Sequence, residues 1–209
     1  MSTPAAAVLE ARDLCCIRNE RVLFEGLNLA VRPGEALAIR GRNGCGKTSL
    51  LRILCGLLPP EAGEVRWQGH AIGHPARHRG SLVHVGHRDG VKGELTAAEN
   101  LRLPSGLAPP SVAAVDAALA AAGLAACREV PARRLSAGQR RRLALARLLL
   151  RPAALWVLDE PFTSLDREGV AWLSGCLAQH LERGGTLVLT AHHDLALPGL
   201  HWLELGGTA

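Results

Sequence analysis

Residues 36–58 read ALAIRGRNGCGKTSLLRILCGLL. An apolar run, a glycine-rich turn and an amphipathic stretch follow one another without a gap. ALAIR (36–40) reads as a buried strand and SLLRILCGLL (49–58) as a helix. Between them Gly41, four residues, then Gly46, Lys47 and Thr48 match the spacing G-x-x-x-x-G-K-[ST]. Strand, tight turn and helix in that order predict a parallel α/β unit. The glycines let the backbone bend until its N–H groups point inward at an anion. The helix aims its N-terminus at the same point. Residues Gly41, Arg42, Asn43, Gly44, Cys45, Gly46, Lys47, Thr48 and Ser49 therefore form a candidate phosphate cradle. The alternative is a chance match in a glycine-rich turn, and the flanking strand and helix make it the poorer reading.

Lys47 sharpens the point. The chain has 24 basic residues, and Lys47 and Lys92 alone are lysine. Arginine is a planar fork, whereas lysine is a compact charge on a thin stem. A narrow loop wrapped around phosphates has room for the second. Lys47 is placed to reach the β and γ phosphates of a nucleotide, and the Thr48 hydroxyl to face a magnesium ion. Cys45, among anion-binding amides, is expected to carry a reactive thiol, unless its side chain turns into packed protein.

The rest of the chain suits one domain of 209 residues, 48% hydrophobic and carrying a formal charge of +5. A basic protein can meet nucleic acid or an anionic membrane. Here the arginines are scattered, apart from RRLSAGQRRR (133–142), and no aromatic residues interleave them. That argues against single-stranded nucleic acid and for a solvated basic helix face. No apolar run reaches membrane-span length, and MSTPAAAVLEARD lacks the basic start of a secretory signal, so a cytoplasmic location is expected. Six cysteines without a C-x-x-C pair predict small core residues rather than a zinc site.

Strands are expected at 8–16, within 27–40 on either side of a turn at Pro33-Gly34, at 63–69 and at 81–86, with the early ones forming a small antiparallel layer. Helices are expected at 95–103, 109–126 and 135–150, then a buried strand at 153–161, a helix at 169–184 and a buried strand at 186–194. A closing strand pair is expected at 201–208. The histidines at 70, 74, 78, 84 and 87 read as a polar surface connector, because Gly73 and Pro75 break any helix that would align them.

LWVLDEP (155–161) puts Asp159 and Glu160 at the C-terminal end of a buried strand, where open α/β sheets bind ligands. Asp159 is expected to hold magnesium and Glu160 to accept a proton from attacking water. Acids also end strands simply because the chain meets solvent, and that reading stays open. LSAGQ (135–139) is a second helix start suited to an anion, with Ser136 as cap. Since one loop already serves one nucleotide, this second site points to a nucleotide held by another subunit.

With LSAGQ in place the chain resembles the ATP-binding cassette (ABC) family, over nearly its whole length. The resemblance implies a P-loop NTPase cassette with a parallel core sheet, a small antiparallel β layer and a helical insertion, the core covering about 1–90 and 151–209 and the insertion about 91–150. It implies ATP and magnesium as ligands. Ser136, Gly138 and Gln139 become the signature facing a partner's nucleotide, with Ala137 a mild departure. Ser164-Leu165-Asp166 becomes the dimer-seam loop, and His192 the switch histidine. Where the family stacks adenine on an aromatic residue this chain has Arg18, and where it keeps a glutamine this chain has His87. EARDLCCIRNERVLFEGL, VGHRDGVKGELTAAENL and LSAGQRRRLALARL resemble more narrowly the ATPase subunit of the cytochrome c maturation haem exporter, in which a histidine at that position is expected. This implies a cassette dimer with an integral membrane permease, at the cytoplasmic face of the inner membrane and without nucleic acid. An exporter ATPase for another substrate, or a nucleotide switch without transport, are the competing readings.

Overall fold

The computed structural model describes residues 8–72, 81–103, 108–191 and 195–206. Two sheets share the core. The first is antiparallel: strands β1 (Leu9–Arg18), β2 (Arg21–Val31), β4 (Ala62–Trp67) and β5 (His70–Ala71) lie in the order β2-β1-β4-β5. The second is parallel throughout: β3 (Ala36–Arg40), β6 (Leu82–Val85), β7 (Leu155–Leu158), β8 (Thr186–Thr190) and β9 (Leu200–Glu204) lie in the order β6-β7-β8-β3-β9. All four residues of β7 and all five of β8 are buried, as expected of parallel strands covered on both faces.

Helix α1 (Lys47–Leu54) buries Leu50, Leu51, Ile53 and Leu54, the i, i+3, i+4 stripe of an amphipathic helix, against a cluster shared by both sheets. It starts two residues before the expected helix and stops short of Gly56, whose φ of +67° suits the left-handed turn that ends helices. Helices α2 (Ala97–Arg102), α3 (Val112–Ala121) and α4 (Ala137–Ala146) pack around a separate apolar cluster of Leu101, Val115, Leu119, Leu124, Leu135 and Leu143. Each such side chain contributes roughly 1.5–3 kcal/mol on burial. The buried Asn100 side chain pins the entry to these helices, accepting from Lys92 N and donating to the carbonyls of Lys92, Leu95 and Thr96. Helix α5 (Arg167–Glu182) then returns the chain to β8.

Three expectations need correction. Where a closing strand pair was expected at 201–208, the described residues hold the single strand β9, added in parallel to β3. The 109–126 helix ends at Ala121, where Gly123 turns at φ +70° into a short 3-10 turn. The basic face of 133–142 is not all solvated, for Arg141 is 4% exposed. His70 is exposed, whereas His84 is half-buried in β6; His74 and His78 lie outside the described residues.

Candidate functional site

The strand order sets the site. β7, β8 and β3 are neighbours, all parallel, so their C-terminal ends share one edge. Residues 41–46 leave β3 there, Thr190 closes β8, and Asp159 follows β7.

The loop is shaped by close approach. Gly41 has φ +149°, and a Cβ there would stand 2.2 Å from the Leu205 carbonyl oxygen. No side chain fits. Arg42, Asn43 and Gly44 are exposed along the loop, and Ser49 lies half-buried in the first turn of α1. Lys47 is 7% exposed and curls under the loop, donating from Nζ to the Gly41 carbonyl at 2.7 Å and the Arg42 carbonyl at 3.2 Å. Its ammonium thus sits inside the ring of backbone it would share with phosphate. Cys45 takes the other side: its Sγ packs toward Gly41 and Gly206 and against the apolar cluster under α1. The expected reactive thiol among the amides is therefore not what this geometry offers; the side chain turns into packed protein.

Across the edge, Thr48 Oγ1 donates to Asp159 Oδ2 at 2.7 Å. Thr190 Oγ1 donates to Asp159 Oδ1 at 2.8 Å and accepts from the Glu160 N–H at 2.7 Å. Asp159 is 3% exposed, so both its oxygens are held in a fixed plane by hydroxyls. Glu160 has φ +47°, a left-handed conformation that costs a non-glycine residue about 1–2 kcal/mol. It turns the carboxylate away from the strand, to within 3.4 Å of Thr163 Oγ1, while His87 Nδ1 lies 3.8 Å from Oε2. A cavity of about 670 Å³ opens beside this corner, lined by Thr48, Arg52, His84, His87, Asp89 and Asp159. Burial holds the His84 imidazole below its usual value, with the Asp159 charge pulling the other way.

Lys47, Thr48, Asp159, Glu160 and His87 are thus brought together. Ser136, Gly138, Gln139 and Asp166 form a second cluster. Ser136 caps α4, accepting from Gln139 N at 3.1 Å, and the Gln139 side chain returns the bond to Ser136 N at 2.9 Å. Gly138 lies so close to the Ser164 carbonyl that a Cβ would stand 2.9 Å from it. Asp166 caps α5 through Gly169 N at 2.8 Å and pairs with Arg142; the Gly169 bond first, then Arg142, holds its carboxyl below the usual range. Arg142 thereby joins the two helix starts. His192 lies outside the described residues.

Two residues of the first cluster escaped the sequence reading. Thr190 sits where a buried strand meets polar residues, with nothing to single out its hydroxyl. Arg141 stands in a run of three arginines that looks like a wet surface, yet its guanidinium is buried under Asp159 and Glu160.

Comparison with known proteins gives this geometry a family. Residues 24–163 match the family described as ABC transporter. The cytochrome c biogenesis ATP-binding export protein CcmA of Methylococcus capsulatus is 50% identical over 199 residues, covering 92% of this chain and 95% of its own. The CcmA proteins of Salmonella paratyphi A (52% over 190 residues, 90% and 91% covered) and Dechloromonas aromatica (48% over 194 residues, 91% and 95% covered) are similar. Among solved structures, the post-hydrolysis dimer of the cassette MJ0796 with ADP and phosphate superposes with a TM-score of 0.83 at 23% identity, covering 95% of this chain and 96% of that one. An ATP-binding subunit of an ABC transporter superposes at 0.78 and 25% identity, covering 88% and 79%. The chain belongs to the ABC transporter family, as one of its ATP-hydrolysing subunits, and within it to the cytochrome c biogenesis ATP-binding export proteins.

Proposed function

We propose that this chain hydrolyses ATP at composite sites formed by two copies placed head to tail, and that it drives a membrane-embedded permease handling haem for cytochrome c biogenesis. The observation that carries the catalytic part is the chain of hydrogen bonds Thr48–Asp159–Thr190–Glu160, which ties the phosphate loop to the acid pair.

In this reading the inward N–H groups of the loop bind the phosphates. Lys47 exchanges two neutral carbonyl acceptors for phosphate oxygens, a gain because charged acceptors make stronger hydrogen bonds. Glu160 accepts a proton from the attacking water. A magnesium ion fits beside them, since the Thr48 hydroxyl and the buried Asp159 carboxylate form an all-oxygen donor pair of the kind that hard cation takes. Bound there, it would neutralise phosphate charge; Thr48 and Asp159 would hold it. His192 is proposed as the residue that senses the γ-phosphate.

Ser136, Gly138 and Gln139 would serve the nucleotide of the partner copy, with Asp166 at the seam. Two features support this: the four sit in a cluster of their own, and the superposable cassette MJ0796 was solved as a dimer. Among the described residues no helix is long and apolar enough to cross a membrane, so transport needs an integral partner. The proposed place of work is the cytoplasmic face of the inner membrane.

Glu160→Gln tests the core of this. It should keep ATP binding and slow hydrolysis by about 10²–10⁴-fold, the usual worth of a positioned base. Unchanged turnover in the assembled transporter would remove Glu160 from the role. Identifying the protein that co-purifies from detergent-solubilised membranes tests the permease.

A further inference from the structure

We propose that Arg141 is a positioning residue for Glu160, and that its guanidinium joins the Glu160 turn to the segment carrying His87. The inference rests on Glu160 being the proton acceptor.

Arg141 lies in the second turn of α4 and is 4% exposed. A guanidinium has five N–H donors. All five are spent here. Nη2 donates to the carbonyls of Asp159 at 2.7 Å and Glu160 at 2.8 Å, and Nε to that of Pro161 at 3.4 Å. Nη1 donates to the Gly86 carbonyl and the Asp89 carboxylate, each at 3.0 Å.

The first three acceptors are consecutive carbonyls that span Glu160. They converge on one cation because Glu160 adopts its left-handed conformation. On the opposite side Thr190 Oγ1 holds the Glu160 N–H. The residue is gripped from both sides, so the direction of its carboxylate is set at the backbone. The other two acceptors belong to residues 86–89, and Arg147 holds the same segment through the Asp89 and Gly90 carbonyls. A shift of the His87 segment is therefore felt at the Glu160 backbone through one rigid, planar group. Lysine, with three donors on one atom, cannot serve five diverging acceptors.

The test uses Arg141→Lys in the assembled transporter, beside Glu160→Gln and the double variant. A base displaced by an ångström costs on the order of 10²-fold, so kcat should fall by about 10- to 100-fold. KM and nucleotide affinity should stay within about twofold, since the loss falls on the transition state. Because Arg141 acts through Glu160, the double variant should be no slower than Glu160→Gln alone. Asp89→Asn, which loosens one of the five bonds and keeps the shape, should give a smaller loss in the same direction. It carries the test alone should the lysine variant not fold. A kcat near the unsubstituted value in both variants, a loss that falls on KM, or losses that multiply in the double variant would each overturn the proposal. If Glu160→Gln itself turns over normally, it is the base assignment that has failed, and not the link through Arg141.

Discussion

Thr190→Val removes one oxygen from the centre of the site and changes little else. The side chain is fully buried, and its hydroxyl makes two bonds: one to the Asp159 carboxylate at 2.8 Å, one from the Glu160 N–H at 2.7 Å. A hydrogen bond to a charged group is worth about 1.5–3 kcal/mol, and a buried N–H left without an acceptor costs about 1–3 kcal/mol. The added methyl recovers about 0.8 kcal/mol of apolar burial. The net loss is about 3 kcal/mol. For a domain of this size 1 kcal/mol moves Tm by about 2–4 °C, so the variant should melt about 6–12 °C lower. Thr190→Ser keeps the oxygen and loses a buried methyl, which costs about 0.5–1.5 kcal/mol. Calorimetry of both variants without nucleotide checks the ordering. If valine melts within 2 °C of the parent, or above serine, the hydroxyl bridge does not hold the acid pair in place.

Lys47→Arg should lose ATP affinity nearly as fully as Lys47→Ala, because the pocket under the loop accepts a thin stem and not a fork; fluorescent-nucleotide titration showing normal binding by the arginine variant would contradict this. Stability should fall in mild acid through His180, which stacks on Trp156 at 3.9 Å. Burial first lowers its pKa, and the bond to the Thr186 carbonyl works the other way. The unfolded chain therefore binds the proton more readily than the folded one. Stability is full above the unfolded imidazole value of about 6.5 and declines as pH drops through it. His180→Phe should flatten the slope of unfolding free energy between pH 7 and 5, and an unchanged slope would assign the dependence elsewhere.

The candidate phosphate loop was legible because its signal is written in backbone: glycines at fixed spacing and one small cation. The acid pair was legible because a fully apolar strand must end where polar residues begin. The Ser136 cap followed from local chemistry alone. What stayed hidden was decided by distant partners. HWLEL carries a weak alternation that suits a hairpin as well as a parallel edge, and only its pairing with β3, some 160 residues away, chooses between them. Arg141 differs from Arg140 and Arg142 by 100° around a helix, and composition does not show which face meets Asp159. Cys45 was placed in part by Gly206, a neighbour in space some 160 residues further along the chain.

The seating of Gly41 under the Leu205 carbonyl has a consequence for how the protein is made. A ribosome delivers Leu205 some 160 residues after the phosphate loop. At 5–20 residues per second, the interval is roughly 8 to 33 s. During it β3 has no β9 on its outer side, and its N–H and C=O groups form an open edge of the kind that recruits other chains. The loop has no roof over the same interval. The loop therefore takes its closed shape only once β9 has emerged and docked in parallel on β3, bringing the Leu205 carbonyl over Gly41.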